Sequence, residues 1–288
     1  MQFIQSIIDG ILLGGVYGVI ATGLSLVFGV LGIVNFAQAE FLMIGMYVAY
    51  FAWRLLGLDP MFGALFSLLV GLGLGYFVQR YFVSRVMKAP ASSQIFLTVG
   101  LLIFIENAAL MMFGSDYLSV QTPYQNISFT LGALFISAPY LLAFCMSILI
   151  SLLLWWFMTH TWTGRSIRAT AQDSMAASLI GVATNRTYAI AFGLGTGLTA
   201  FGGGIILPYL TVSPTIGQSF AVLMFTVVVL GGLGSVTGAL VGGVVVGVIQ
   251  SVSALLMPVQ FQNLVLFIIF ITVLAFRPEG LISSRSTR

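Results

Sequence analysis

Residues 187–276 contain no Asp, Glu, Lys, Arg or His. A stretch this long cannot be a water-facing surface, because a soluble domain carries about 25% charged residues. The remainder of the chain is similar in kind. Of 288 residues 59% are apolar and 6% charged, with a mean hydropathy of +1.12. Most of its surface must therefore meet lipid. At about 20 residues per crossing, the charge-free stretch holds up to four helices. Turn-like breaks at 208–218, 231–238 and 257–263 divide it.

Upstream, charges separate further apolar runs at 10–39, 41–53, 61–79, 92–113 and 138–159. The run at 92–113 is interrupted by Glu106, and the last follows a polar stretch at 121–126. The expected fold is an all-α polytopic membrane protein with about eight to ten transmembrane helices. Nine is the central count, and a re-entrant kink at 231–238 would change it. The whole of 1–288 reads as one transmembrane domain. No basic residue precedes the first apolar run, which is unlike a secretory signal peptide, so that run is expected to be retained as a span.

Orientation follows from Lys and Arg. Arg80, Arg85 and Lys88 form one cluster, Arg165, Arg168 and Arg186 a second, and Arg277, Arg285 and Arg288 a third. Even numbers of spans separate the clusters, so all three fall on the cytoplasmic side. The N-terminus is then outside and the C-terminus cytoplasmic. Asp9, Asp59 and Asp116 fall outside, with Arg54 the one basic exception. The net charge of +3 reflects this one-sided collection and gives no sign of nucleic acid.

Several functions are excluded by what is missing. Lys88 is the single lysine and follows Met87, so the Gly-Lys that ends a Walker A sequence cannot occur. With one cysteine, Cys145, and one histidine, His160, a Cys/His metal cluster cannot form. No zinc-protease helix motif or nucleophile elbow is present. These absences argue against a P-loop ATPase, a Cys/His metal protein or a hydrolase, and no cofactor is expected on the chain itself. Glycines spaced by four at 10, 14 and 18, at 71 and 75, at 193 and 197, and at 234, 238 and 242 put small residues on single helix faces. Such faces let backbones approach closely, as in a compact many-helix transporter.

Polar groups inside apolar spans are the default candidates for a substrate path. Asn35, Gln38 and Glu40 lie around the junction of the first two spans, and Glu106 with Asn107 lies within the fourth. Their alternative role is interhelical hydrogen bonding. Parity puts the first junction near the cytoplasmic side, which would leave Glu40 at the interface.

The loop at about 160–187 holds a different signal. Asp173 and Ser174 are helix-capping types, and Gly181 suits a helix end. The helix between them, about 12 Å long, is far too short to span. Met175 with Leu179, and Ala176 with Ile180, give it a small apolar face. On residue chemistry alone, two readings stand equally: docking into a partner's groove, or lying on the lipid surface.

A resemblance decides between them. Ala176-Ala177-x-x-x-Gly181 resembles the Glu-Ala-Ala-x-x-x-Gly cytoplasmic motif of ABC importer permeases, with Met175 in place of the acid. The pattern Arg168-Ala169, Gln172-Asp173, Ala176-Ala177 looks most like the LivH-type permeases of branched-chain amino acid ABC transporters. The runs from Gly23 through Asn35-Phe36-Ala37-Gln38-Ala39-Glu40 to Phe41, from Val229 to Gly238, and from Phe276 to Leu281 are similar to theirs. Where that family commonly has Asn-Phe-Ala-His-Gly, this chain has Gln38 and Ala39. The resemblance runs from about residue 7 to 282. It implies an ABC importer permease fold with a short cytoplasmic coupling helix. It also implies a second LivH/LivM-like permease, two cytoplasmic ATPase subunits that bind ATP and Mg, and a periplasmic substrate-binding protein. The implied docking surface is Arg165, Arg168, Gln172, Asp173, Ala176, Ala177 and Gly181. The implied cargo is branched-chain or related small amino acids, while urea and short amides are carried by permeases of the same type. A stand-alone secondary carrier or channel, using Glu40 or Glu106, is the alternative.

Overall fold

The computed structural model describes residues 2–131, 134–276, 280 and 281. Three of the basic residues used for orientation, Arg277, Arg285 and Arg288, lie outside the described residues, as do Pro278 and Glu279 of the C-terminal motif. The chain runs through α1 (Gln2–Leu31), α2 (Gln38–Leu56) and α3 (Pro60–Val78). A π-helical turn (Gln79–Val83) and the short α4 (Ser84–Val86) continue α3. Then come α5 (Ala91–Phe113), a hairpin of β1 (Ser128–Leu131) and β2 (Leu134–Ser137), and α6 (Ala138–His160). The helices α7 (Trp162–Gln172), α8 (Ser174–Leu179), α9 (Thr184–Ile206), α10 (Ile216–Gly231), α11 (Val236–Leu256) and α12 (Val259–Phe276) complete it.

Among the described residues seven helical segments are long and apolar enough to cross a membrane, with α3 and its continuation counting as one. The other two expected spans are helical but shorter: α10, and the apolar part of α12. The fold is helical as expected, with one addition. An antiparallel hairpin of two four-residue strands pairs Ser128 with Ser137 and Leu131 with Leu134. Its residues gave no alternation strong enough to read as strands. The side-chain amide of Gln5 on α1 bonds the backbone of Phe135 at the hairpin.

The core is built around α9, which packs against α1, α2 and α3, while α11 packs along α1. Glycine permits these approaches. Gly10, Gly14 and Gly18 of α1 lie against the α11 backbone, and Gly71 and Gly75 of α3 against Thr196 and Gly193 of α9. Without Cβ atoms the helices close to backbone contact, where dispersion replaces the hydrophobic drive that lipid cannot supply. These contacts also set helix direction. Thr199 of α9 meets Ile20 of α1 while Gly195 meets Gly23 and Val27, so α1 and α9 are antiparallel. Gly204 lies against Ala64 and Gly193 against Tyr76, so α3 is antiparallel to α9 too. The end of α3, the start of α9, and α7 therefore share one end of the bundle, which carries Arg80, Arg85, Arg165, Arg168 and Arg186.

At the opposite end, Asp59 precedes Pro60 at the start of α3. Its Oδ1 accepts from the Met61 backbone N–H at 2.8 Å and from the Tyr124 hydroxyl at 2.8 Å. An acidic cap followed by proline is a local helix start signal. Partial burial, and then the bond to Asp59, hold the Tyr124 hydroxyl above the ordinary tyrosine range.

Candidate functional site: a deep carboxylate and a surface helix

The chain breaks its first helix inside the bundle. Gly32 takes a left-handed φ of 68°, and its N–H closes on Phe28 O at 2.8 Å. Residues 32–35 then leave the helix. The next helix does not begin at the basic end. Gln38 Nε2 donates to Thr199 Oγ1 at 2.8 Å and Gly195 O at 3.2 Å. Gly195 is about 16 Å along α9 from its Thr184 end, at 1.5 Å per residue. The junction thus lies deep in the bundle, not at the interface that parity suggested. Tertiary contacts with α9 hold it there.

Asn35 organises the turn. Its Oδ1 accepts from Ala37 N at 3.2 Å, and its Nδ2 donates to Gln38 Oε1 at 2.8 Å. Thr199 Oγ1 has Ile20 O and Gly195 O within reach, at 3.2 and 3.1 Å. Asn35, Gln38 and Thr199 are all buried. This is the internal pairing that non-helical backbone requires at membrane depth.

Glu40 follows in the first turn of α2 and differs from its neighbours. Its side chain is fully buried, yet neither carboxylate oxygen has a hydrogen-bond partner among the described residues. It packs on the first turn of α10. A Cβ added at Gly217 would lie 2.5 Å from Glu40 Oε1, so only glycine leaves room for the carboxylate there. The next residue, Gln218, donates through Nε2 to both oxygens of Glu106 on α5, at 2.9 and 3.0 Å. Asn107 is exposed and bonds its own helix at Ile103 O, 2.8 Å away. The structure thus gathers Glu40, Glu106 and Gln218 about the start of α10. Asn35 and Gln38 sit beside them in their own closed network, and Asn107 faces outward. Gly217 and Gln218 were not anticipated. The only sequence signal was that they closed the 208–218 break with the one amide side chain in it.

The second candidate is the loop at the basic end. Thr161 caps α7, accepting from Gly164 N at 3.0 Å. This helix was not expected, although Gly164, Ile167 and Thr170, its buried face, recur at helical spacing. Ile167 joins Leu26, Val30 and Ala191 in one buried apolar cluster. Asp173 caps α8 as its type suggested, with Oδ1 accepting from Met175 N at 2.8 Å and Ala176 N at 3.0 Å. Gly181 follows the helix with φ 89°. Ala177 is the buried anchor of α8, while Met175, Leu179 and Ile180 are 75%, 82% and 78% exposed. Arg165, Arg168, Gln172, Ala176 and Arg186 are exposed around it. The Arg165 guanidinium stands 5.6 Å from the Trp162 ring centroid.

A bundle of membrane-length helices with a polar junction at mid-depth and a capped, non-spanning helix at one end defines a polytopic membrane protein. Residues 6–274 match the family described as branched-chain amino acid transport system, permease component, and the chain belongs to that family. It is 31% identical to the high-affinity branched-chain amino acid transport system permease protein BraD of Pseudomonas aeruginosa, over 98% of this chain and 96% of that one. It is 28% identical to the permease protein LivH of the corresponding system of Escherichia coli K12, with the same coverage. Its fold is similar to that in the structure of PsaBC from Streptococcus pneumoniae in complex with Fab, with a TM-score of 0.51 and 14% identity. That likeness covers 97% of this chain and 93% of the other. The chain is thus an ABC importer permease of the multi-pass inner-membrane kind, a transport component and not an enzyme. The stand-alone carrier or channel reading gives way to it.

Proposed function

We propose that this chain forms part of the pore through which branched-chain or closely related small amino acids enter the cytoplasm. The family assignment and the names of its relatives supply the substrate class. Residues 1–288 act as one transmembrane domain, paired with a second LivH/LivM-like permease. Two ATPase subunits dock at the basic end and bind ATP and Mg, and a periplasmic binding protein delivers substrate at the other. The basic end faces the cytoplasm, by the bias of Lys and Arg toward that side. The N-terminus is then outside and the C-terminus cytoplasmic.

The observation that carries this reading is α8. A helix of six residues that bares Met175, Leu179 and Ile180 has an apolar face awaiting a protein groove. Asp173 and Gly181 fix its two ends, Ala177 roots it, and Arg165, Arg168, Gln172 and Ala176 frame it. Movement of the ATPases pushes on this helix and tilts the bundle between two states. The substrate path follows the start of α10, with Glu40 and Glu106 as its polar groups there, Asn35 and Gln38 as the brace that positions Glu40, and Asn107 beside Glu106 on the outward face of α5. A charged side chain rarely faces acyl chains, so the face carrying Glu106 is turned to the pore or to the partner permease.

The test is a mild-detergent purification of the tagged chain from its native membrane, with its companions identified and reconstituted. Co-purification of two Walker-containing ATPases and a second apolar permease, with ATP-dependent leucine uptake in liposomes, is the expected result. A chain that purifies alone and transports under an ion gradient without ATP would overturn the proposal.

A further inference from the structure

The helices α6 and α11 both pack against α1 but leave a gap between themselves. The gap is a groove of about 860 Å³ with Leu26, Gly29 and Val30 of α1 along it. Its deep end is closed by Phe144, whose ring lies over Gly15, where an added Cβ would fall 2.5 Å from it. Its other end reaches α7 at Ile167 and Arg168. From Phe144 to Thr159 along α6 the groove is about 22 Å long at 1.5 Å per residue. The hydrocarbon core of a bilayer is about 30 Å thick, so this exceeds the depth of one leaflet.

The chemistry of the groove is one-sided. Its walls are apolar, and the hydroxyls of Ser147, Ser151 and Thr159 donate back into α6 at 2.7 to 2.8 Å. Among the described residues Arg168 is the one charged residue that lines it, and no carboxylate does. That cation stands at the end where α7 meets the membrane surface, and Trp155, 58% exposed, lines the wall beside it. Tryptophan favours the headgroup level. A long apolar slot with one cation at its surface end complements a single acyl chain joined to an anionic headgroup. A transmembrane helix from a partner permease would fill the apolar part but leave the guanidinium without a counter-charge.

We propose that this groove holds an anionic glycerophospholipid of the leaflet at the basic end, with its acyl chain between α6 and α11 and its phosphate on Arg168. The inference needs only that the chain is membrane-embedded, stands whichever substrate is carried, and gives the Arg168 guanidinium to the lipid, leaving Arg165, Gln172 and Ala176 to frame α8 for the ATPases.

The experiment uses the assembled transporter purified from its native membrane. With p-benzoyl-phenylalanine in place of Leu152, which lines the groove, irradiation should attach a phospholipid mass to this chain. A crosslink to another polypeptide would put a partner helix in the groove and overturn the proposal, and so would the absence of any adduct. In parallel, native mass spectrometry reads retention of added dioleoyl-phosphatidylglycerol against dioleoyl-phosphatidylcholine. Arg168→Gln should lower the preference for phosphatidylglycerol about fivefold, the effect of one basic residue near an anionic surface. Arg165→Gln, whose side chain lies off the groove, should leave the preference as in the parent. Ser151→Trp, which fills the groove, should lower retention of both lipids. An unchanged preference in Arg168→Gln, or an equal loss in Arg165→Gln, would defeat the assignment.

Discussion

The helices α5 and α9 have the same length, 23 residues, and opposite fates. Over the most apolar 18 residues of each, α9 is 89% buried and α5 11%, although α5 has the higher mean hydropathy, 2.1 against 1.6. In water the more apolar helix would be the inner one. In lipid the rule relaxes, because acyl chains solvate leucine and phenylalanine as well as a protein core does. What earns a place in the centre is smallness. Gly193, Gly195, Gly197, Gly203 and Gly204 let α9 touch α1, α2 and α3 at backbone distance. Phe96, Phe104, Met111 and Met112 of α5 are left facing outward.

The largest expected effect breaks this contrast directly. Gly45 of α2 faces the backbone of Ala200 on α9, whereas a Cβ at Gly100 of α5 meets nothing within 4 Å. Gly45→Leu should cost about 3 kcal/mol or more through overpacking and remove the monodisperse peak in detergent size-exclusion chromatography. Gly100→Leu should stay within about 0.5 kcal/mol of the parent. Equal behaviour of the two variants would mean that close packing around α9 is not what holds the bundle together.

The same contrast applies to the two glutamates. Glu40 is buried with no partner among the described residues, while Glu106 is half-buried with Gln218 as its donor. Glu40→Gln should reduce ATP-driven uptake about tenfold or more, equivalent to about 1.4 kcal/mol, with the amount of folded chain unchanged. Glu106→Gln, which preserves an oxygen for Gln218, should cost less. A reversed order would move the path to the exposed side of α5. At the basic end, Gly181→Leu meets a left-handed φ that costs a side chain about 1–2 kcal/mol. Uptake should fall while insertion, followed by membrane abundance, stays normal. Loss of abundance instead would make α8 a folding element and not a lever.

The smallest effect lies at the opposite end. Tyr124→Phe removes one hydrogen bond to Asp59 and should lower stability by about 1 kcal/mol. Because the folded state holds the Tyr124 hydroxyl above its ordinary range, its contribution is complete below the pKa of an unfolded tyrosine. It then declines as pH rises toward the higher folded value. Thermal unfolding of parent and variant should therefore converge with rising alkalinity, and parallel curves would show that the bond contributes little.

The chain's own order of residues determined whatever depends on near neighbours or on bulk composition. The absence of charge over 187–276 required lipid as solvent. The glycine spacing at 10, 14 and 18 and at 71 and 75 declared which faces pack, since residues four apart share one side of a helix, whereas Gly234, read with 238 and 242 as one face, lies in the turn before α11 with a φ of 82°. Asp173 and Gly181 marked the ends of α8, because a cap bonds an N–H two or three positions away. The hairpin was hidden because its pairing is short, and α7 because Arg165, Arg168 and Gln172 made it read as a loop. Tertiary structure alone decided the depth of the first junction and the setting of Glu40. Both depend on partners far along the chain, Gly195 and Thr199 for Gln38, and Gly217 for Glu40. A polar residue in an apolar run declares only that it must be satisfied or used. Whether it is paired, as Gln38 is, or left bare against a helix start, as Glu40 is, follows from which helix the fold brings to it.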